Sequence, residues 1–191
     1  MRTPPDEMRL RLLEASGRLD RGGVDVSIDD MAREAGIPRA TMYYYFAGRD
    51  DLVAFLFAEK IETMAAAVRA AVAADASVPD RVRLLVEALF RSMAAQPALC
   101  LEMPMAMQKP EAFGATLHCA EEAVMGPIRA LLEEGVADGT LRIGEIDTAM
   151  TVLQGAVWQL AMGELLSPEE FAPDRLAEAA TPMLLGALGA H

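Results

Sequence analysis

The sequence predicts an all-α protein with an N-terminal helix-turn-helix module and a larger helical domain after it. The composition favours helices, because 53% of the residues are hydrophobic and only 5% are aromatic. The abundant alanine, leucine and methionine lose little rotamer freedom in a helix. Apolar residues recur at helical spacing, whereas alternation of apolar and polar residues is never sustained. Glycine and proline divide the chain into about nine helices. We expect one domain over residues 1–50 and a second over residues 51–191.

The first helix is predicted over residues 6–20. Met8, Leu12, Ala15 and Leu19 share one of its faces at helical spacing, so this face is expected to pack on a core. The two glycines that follow end the helix.

Boundary residues mark the next two helices. Ser27 begins the second, and Asp30 follows three residues later, as in a capping box. Gly36 ends it, because the turn needs a residue that tolerates positive φ. Pro38 can open a third helix over residues 39–46, since the first turn does not need its N–H.

Longer helices are predicted in the second domain. A fourth helix begins near Arg49, and a loop follows at residues 75–80. The later segments are a helix over residues 81–95, a short irregular helix between Pro97 and Pro104, a helix over 111–137 in one piece or two around Gly126-Pro127, and helices over 145–166 and 174–188.

The net charge of −12 argues at first against a nucleic-acid partner, because phosphate binding normally needs a basic surface. The distribution weakens this objection. Residues 1–50 hold eight arginines and nine acids, whereas residues 51–191 hold nine basic and twenty acidic residues. The excess acid therefore lies in the second domain, and the first can still place its arginines on one face.

Motifs typical of enzymes are missing from the sequence. There is no glycine-rich phosphate loop, no GxSxG and no HExxH. The two histidines and two cysteines show no metal-ligand spacing. We therefore expect a protein that is not an enzyme and has neither a metal nor a cofactor.

Three features of the sequence indicate where in the cell the protein is located. Two prolines and mixed charges stand where a signal peptide would be apolar. The uncharged run 149–163 has 15 residues, fewer than the roughly 20 needed to cross a bilayer. The two cysteines form no disulfide framework. We expect a cytoplasmic protein that does not contact a membrane.

The third helix carries long polar side chains. Arg39, Thr41, Tyr43, Tyr44 and Tyr45 place a guanidinium and four hydroxyls within about two turns. Such groups reach phosphates and base edges in the major groove. Tyr43 and Tyr45 point apart on a helix, so one or more of the tyrosines can instead pack against the first helix.

The stretch from Ser27 to Leu52 resembles the signature of the TetR family of repressors. It reads SIDDMAREAGIPRATMYYYFAGRDDL, with a hydroxyl at its start, Ala-Gly at the turn, and Tyr followed three residues later by Phe. Two positions depart from the family pattern. Pro38 stands where Ser or Thr is usual, so that contact to DNA is lost. Ala47-Gly48 replaces polar residues, so backbone N–H groups must make the contacts at these two positions.

The resemblance implies a role for matching positions. Arg39, Thr41, Tyr43 and Tyr44 correspond to contacts of the recognition helix, and two further residues, Arg49 and Ser27, to phosphate contacts. Ser27 can equally be a helix cap alone, and Thr41 can cap locally. The resemblance further implies a repressor that binds a palindromic operator as a homodimer, with its two modules about 34–36 Å apart.

Methionines and aromatic residues are scattered over the second domain. Thioether side chains are flexible and fill irregular pockets. We expect a pocket for a small apolar effector that releases the repressor from DNA, although ordinary core packing explains any single methionine equally well. His118 can also be a surface residue. The candidate pocket residues are Phe90, Met93, Met103, Met107, Phe113, His118, Met125, Gln154 and Trp158.

The last two helices look like the dimer interface of the family. The first of them is apolar on more than one side, which requires a partner as well as a core. The alternative is a monomer with this helix at its centre. The candidate interface residues are Val152, Ala156, Leu160, Leu184 and Leu185.

Two other functions remain open. A thiol-based redox sensor would use Cys100 and Cys119 in a DNA-binding regulator, although only Lys109 and His118 are nearby groups that could lower a thiol pKa. A helical scaffold without DNA binding is the second alternative.

Overall fold

The computed structural model describes residues 3–19, 27–97, 100–101, 114, 118–119, 121–167 and 170–190. This part of the chain contains eight α-helices and one π-helical turn and no strand, which confirms the predicted all-α fold. In chain order they are α1 Asp6–Leu19, α2 Ile28–Ala35, α3 Arg39–Tyr45, α4 Arg49–Val72, α5 Val78–Ala95, the π-helical turn Glu121–Met125, α6 Gly126–Ala137, α7 Ile146–Leu165 and α8 Pro173–Ala187.

Helices α1 to α3 pack into a small unit, which we call the head. Its centre consists of fully buried apolar side chains: Leu12, Ala15, Met31, Met42 and Phe46. The helix ends follow the predicted caps. The Asp30 amide donates a hydrogen bond to Ser27 Oγ over 3.1 Å, and Gly36 has a φ of 63°. Pro38 lies just outside α3 as its N-terminal cap residue.

Helix α4 belongs to two cores. Leu52, Phe55 and Leu56 pack into the head, and the rings of Phe46 and Phe55 lie 5.5 Å apart. Val53 and Phe57, on the same two turns, pack into the second core instead. The head core therefore extends past residue 50, and a single 24-residue helix joins it to the rest of the chain.

The remaining helices form the second unit, which we call the body. Helix α5 packs along α4 and α8 and also contacts α6 and α7. Helix α5 begins at Val78, three residues earlier than predicted, because Ser77 caps it and Pro79 fits in its first turn. None of the described helices is both long and apolar enough to cross a membrane.

A π-helical turn stands at the break predicted around Gly126-Pro127. It spans Glu121–Met125 and runs directly into α6, whose second residue is Pro127. Proline has no N–H to donate, and such turns occur where the regular helical ladder is interrupted.

Candidate DNA interface and ligand cavity

Helix α3 exposes one face and buries the other. Met42 is fully buried in the head core and Tyr45 is half-buried against it. Tyr43 and Tyr44 remain 51% and 59% exposed, and Thr41 is half-buried. The structure thus packs one of the three tyrosines and leaves two phenol groups on the outer surface of the head.

Arg39, the first residue of α3, forms an ion pair with Asp29 in the first turn of α2. The Arg39 side chain is still 68% exposed, and that of Asp29 is 41% exposed. An exposed ion pair is worth at most about 1 kcal/mol, so the guanidinium can exchange its carboxylate partner for a phosphate at little cost.

Ser27 acts as the cap of α2. Its hydroxyl donates to the Asp30 carboxylate over 2.6 Å, and the hydrogen bond from Ser27, followed by that from Arg33, holds the pKa of Asp30 below its ordinary value. The capping role is therefore present in the structure. A phosphate contact by Ser27 stays a prediction.

The start of α4 contains the predicted phosphate contact Arg49, which is half-buried as the first residue of that helix. The Ala47 amide, one of the backbone groups expected to face DNA, donates to the Asp51 carboxylate over 2.9 Å. Asp51 thus occupies one of the backbone donors that, by the family resemblance, would replace the missing polar side chains.

Arg11 holds the turn between α2 and α3, a role that the sequence analysis missed. Its Nε donates to the carbonyl oxygen of Ala35 over 3.0 Å, and its terminal nitrogen donates to that of Gly36. These carbonyls belong to the end of α2, where helical partners are lacking. Since 24 residues separate Arg11 from Ala35, no local sequence pattern signals the contact.

The head is also tied to the body by a side-chain bond. Arg9 of α1 donates to the Glu59 carboxylate of α4 over 2.7 Å, and this hydrogen bond raises the pKa of Arg9. Glu59 lies almost three turns into α4, beyond the residues of the head core. A displacement of α4 at this level therefore acts on α1 directly.

A cavity of about 130 Å³ lies in the body between α4, α5, the π-helical turn, α6 and α7. Four predicted pocket residues line it, namely Met93, Met125, Gln154 and Trp158. Among its described lining residues, Gln154 alone carries an amide and none carries a charge. The lining consists of Met64, Leu89, Met93, Cys100, Val124, Met125, Ile128, Met150, Leu153, Gln154, Val157 and Trp158.

Other predicted pocket residues lie elsewhere. Phe90 is fully buried in the core, because it follows Leu89 by one residue and so points about 100° away around α5. The His118 side chain is 71% exposed and faces Glu122 at 3.6 Å, outside the cavity. Neither residue is among the described residues that line the cavity, and a ligand contact by either stays a prediction. Met103, Met107 and Phe113 lie outside the described residues.

The two cysteines differ in surroundings. Cys100 is buried in the cavity wall, and burial raises its thiol pKa to about 11. Little thiolate therefore forms there at neutral pH. Cys119 is exposed. In the described part of the chain no three His, Cys, Asp or Glu side chains are grouped to hold a metal ion.

Helices α7 and α8 present apolar side chains to the outside. Val152 is 50% exposed, Leu160 is 39% exposed and Ala156 is half-buried. Met183 on α8 is 77% exposed. We call Val152, Ala156, Leu160 and Met183 the outer face. Helix α7 is not central to the single chain, because its buried residues form one narrow stripe: Leu153, Val157 and Ala161.

The two leucines predicted on the interface from α8 are placed differently. Leu184 is only 6% exposed and packs in the chain's own core, although it also lines a groove with Val152, so its place in the interface stays a prediction. Leu185 is half-buried and lines a surface groove between α5 and α8. The exposed large apolar residue of this turn is their neighbour Met183.

Comparison with known proteins agrees with this geometry. A family model described as bacterial regulatory proteins, tetR family, matches residues 18–55, which include α2, α3 and the start of α4. Two curated relatives come from Mycolicibacterium smegmatis. The HTH-type transcriptional activator FasR is 30% identical over 91 residues, which are 47% of this chain and 42% of FasR. The HTH-type transcriptional regulator EthR is 23% identical over 190 residues, covering 96% of this chain and 87% of EthR.

A similar solved structure is the transcriptional regulator FadR from Bacillus subtilis in complex with stearoyl-CoA. It matches with a TM-score of 0.77 and 16% sequence identity, over 95% of this chain and 99% of that one. At this identity the likeness establishes a shared fold.

Proposed function

We propose that the chain is a transcriptional regulator of the TetR family, a repressor that binds a palindromic operator as a homodimer and releases it when an apolar ligand fills the body cavity. The observation that carries this proposal is the continuity of α4. One helix contributes to the core beneath the exposed face of α3 and, through Met64, to the wall of the cavity.

DNA is read by the exposed face of α3. Tyr43 and Tyr44 extend into the major groove together with Thr41, where hydroxyls contact base edges and phosphates. Arg39 exchanges Asp29 for a backbone phosphate. Arg49 contacts a second phosphate at the entry to α4, and Ser27 a third beside its capping role.

The homodimer forms through the outer face. Exposed apolar side chains on α7 and α8 are better buried against a second copy than left in water. A twofold axis through this face presents two copies of α3 to successive turns of one duplex, which must lie about 34–36 Å apart.

Release follows from ligand binding in the cavity. The lining is almost wholly apolar, which suits an acyl chain, and the relative FadR was solved with stearoyl-CoA. A ligand that displaces Met64 moves α4, and the Arg9–Glu59 bond passes the movement to α1. By linkage, the ligand must prefer the arrangement of heads that fits DNA less well.

The experiment begins with selection of bound duplexes from a random pool and a footprint on the DNA that flanks the gene. We expect a palindrome, a complex whose mass equals two chains per duplex, and release by stearoyl-CoA. A single chain per duplex, or no enriched sequence, would contradict the proposal. Peroxide is the control for the redox alternative, and we expect no release because the Cys100 thiol stays protonated.

A further inference from the structure

A lysine lies at the edge of the apolar stripe of α4. The buried side chains of this stripe include Phe57, Ile61 and Val68, and Met64 lines the cavity. Lys60 follows Phe57 by three residues and precedes Met64 by four, so it lies about 40° from Met64 around the helix. It is half-buried.

The charge of Lys60 acts on the cavity wall. Burial raises the pKa of the Cys100 thiol, and the nearby Lys60 ammonium opposes that rise. Because Cys100 lines the cavity and Met64 lines it one helical turn after Lys60, the ammonium charge acts at the wall of an almost wholly apolar space. This position is unusual in the body, where residues 51–191 hold twenty acids and nine basic residues.

We propose that Lys60 binds the anionic end of an amphipathic effector whose hydrocarbon chain occupies the cavity. The inference rests on the proposed function and deepens it, since it names the ligand as a chain that ends in a carboxylate or a phosphate. An ammonium group that attracts such an anion discriminates against the neutral alcohol of the same chain length, because charge-assisted hydrogen bonds are the stronger ones. Gln154, the amide in the wall, offers no such discrimination.

The chain supplies its own probe. Trp158 is the single tryptophan of the sequence and lines the cavity, so its fluorescence reports on occupancy. Decanoate, decanol and decanoyl-CoA are titrated into the whole protein and into three variants. Lys60→Met removes the charge and Lys60→Arg keeps it. Arg69→Met is the matched control, because Arg69 is an exposed cation of the same helix that pairs with Glu62.

We expect Lys60→Met to weaken decanoate binding by about tenfold or more and to leave decanol binding unchanged. Lys60→Arg and Arg69→Met should bind both as the natural protein does. Decanoyl-CoA shows which anionic group Lys60 binds. If Lys60→Met binds decanoyl-CoA more weakly but decanoate unchanged, Lys60 binds the phosphates of CoA. If Lys60→Met binds decanoate more weakly, Lys60 binds the carboxylate.

Two results overturn the inference and are distinguishable. If decanoate and decanoyl-CoA bind Lys60→Met as tightly as they bind the natural protein, Lys60 does not select the anion, although the apolar ligand site stands. If none of the three probes changes the emission of Trp158, the proposed apolar site fails, and the role of Lys60 fails with it.

Discussion

Arg39 and Asp29 join the recognition helix to the helix that braces it, because their ion pair links the first residue of α3 to the first turn of α2. The same carboxylate that positions the guanidinium stands on the surface that would face DNA. One Asp29 oxygen is buried without a hydrogen-bond partner, and the other holds Arg39. The pair therefore both orders Arg39 and opposes a phosphate at that place.

Replacing Asp29 by Asn tests this balance. We expect Asp29→Asn to raise the affinity for random-sequence duplex by about two- to fivefold at low salt, because one exposed charge near the phosphates is removed. Fluorescence anisotropy over a salt series measures the effect. Asp75→Asn is the control, since it removes an equal charge from an exposed site after α4. Equal affinities of the two variants would show that Asp29 does not oppose DNA.

The hydrogen bonds from Arg11 to the carbonyls of Ala35 and Gly36 are expected to stabilise the head. Arg11→Met leaves the Ala35 and Gly36 carbonyls without their charged donor, and should lower the free energy of unfolding by about 1–3 kcal/mol. Urea unfolding followed by circular dichroism measures this. Arg33→Met is the control, because Arg33 makes only an exposed pair on its own helix, and it should change stability by about 0.5 kcal/mol or less. An equal decrease in the free energy of unfolding in both variants would show that the Arg11 hydrogen bonds do not stabilise the head.

Gly135 is required by close packing. A Cβ at this position would meet Leu141 at 2.6 Å and Val78 at 2.9 Å. Gly135→Ala should therefore destabilise the body by about 1–3 kcal/mol. Gly17→Ala, at an exposed helical position where an added Cβ would meet no described atom within 4 Å, should instead stabilise by up to about 1 kcal/mol. Thermal unfolding compares the two, and a Gly135→Ala variant as stable as the natural chain would refute the contact.

Several carboxylates make stability fall in acid. The pKa values of Asp30, Asp80 and Asp138 are lowered mainly by hydrogen bonds from neighbouring hydroxyls, and that of Glu134 mainly by Arg81. The pKa of each carboxyl is lower in the folded chain than in the unfolded chain, so the unfolded chain binds more protons. The carboxylates therefore stabilise the fold at a pH above their ordinary pKa values. This stabilisation is lost as the pH falls through the folded-state pKa values. We expect unfolding temperatures to drop between about pH 5 and pH 3. An NMR titration that returned ordinary pKa values for all four would contradict this.

The head was predictable because its signals are local. Ser27 and Asp30 lie three residues apart, and Gly36 follows at the end of the helix, so capping and the left-handed turn could be predicted without knowing the tertiary structure. Arg11 could not be found this way, since its partners lie 24 residues away and are backbone carbonyls.

The body was harder to predict because periodicity indicates burial without identifying the neighbour. Leu89 and Phe90 are both buried, yet only Leu89 reaches the cavity. Leu184 and Met183 are both apolar residues of α8, so the sequence pattern does not distinguish them. In the structure Leu184 packs in the chain's own core, whereas Met183 is exposed. Met150 was within reach of prediction, because it precedes Gln154 by one helical turn.

If the exposed face of α3 reads DNA in a dimer, removing a side chain from that face must lower the affinity for the operator. Thr41→Ala and Tyr43→Ala are compared with Thr63→Ala, an exposed threonine of α4 outside the head. Anisotropy on the selected operator is measured, and light scattering establishes that each variant remains a dimer. We expect Thr41→Ala and Tyr43→Ala each to weaken operator binding by about tenfold, because groove contacts are lost, and Thr63→Ala to leave it unchanged. Dimeric Thr41→Ala and Tyr43→Ala variants that bind the operator as tightly as the natural protein would contradict it.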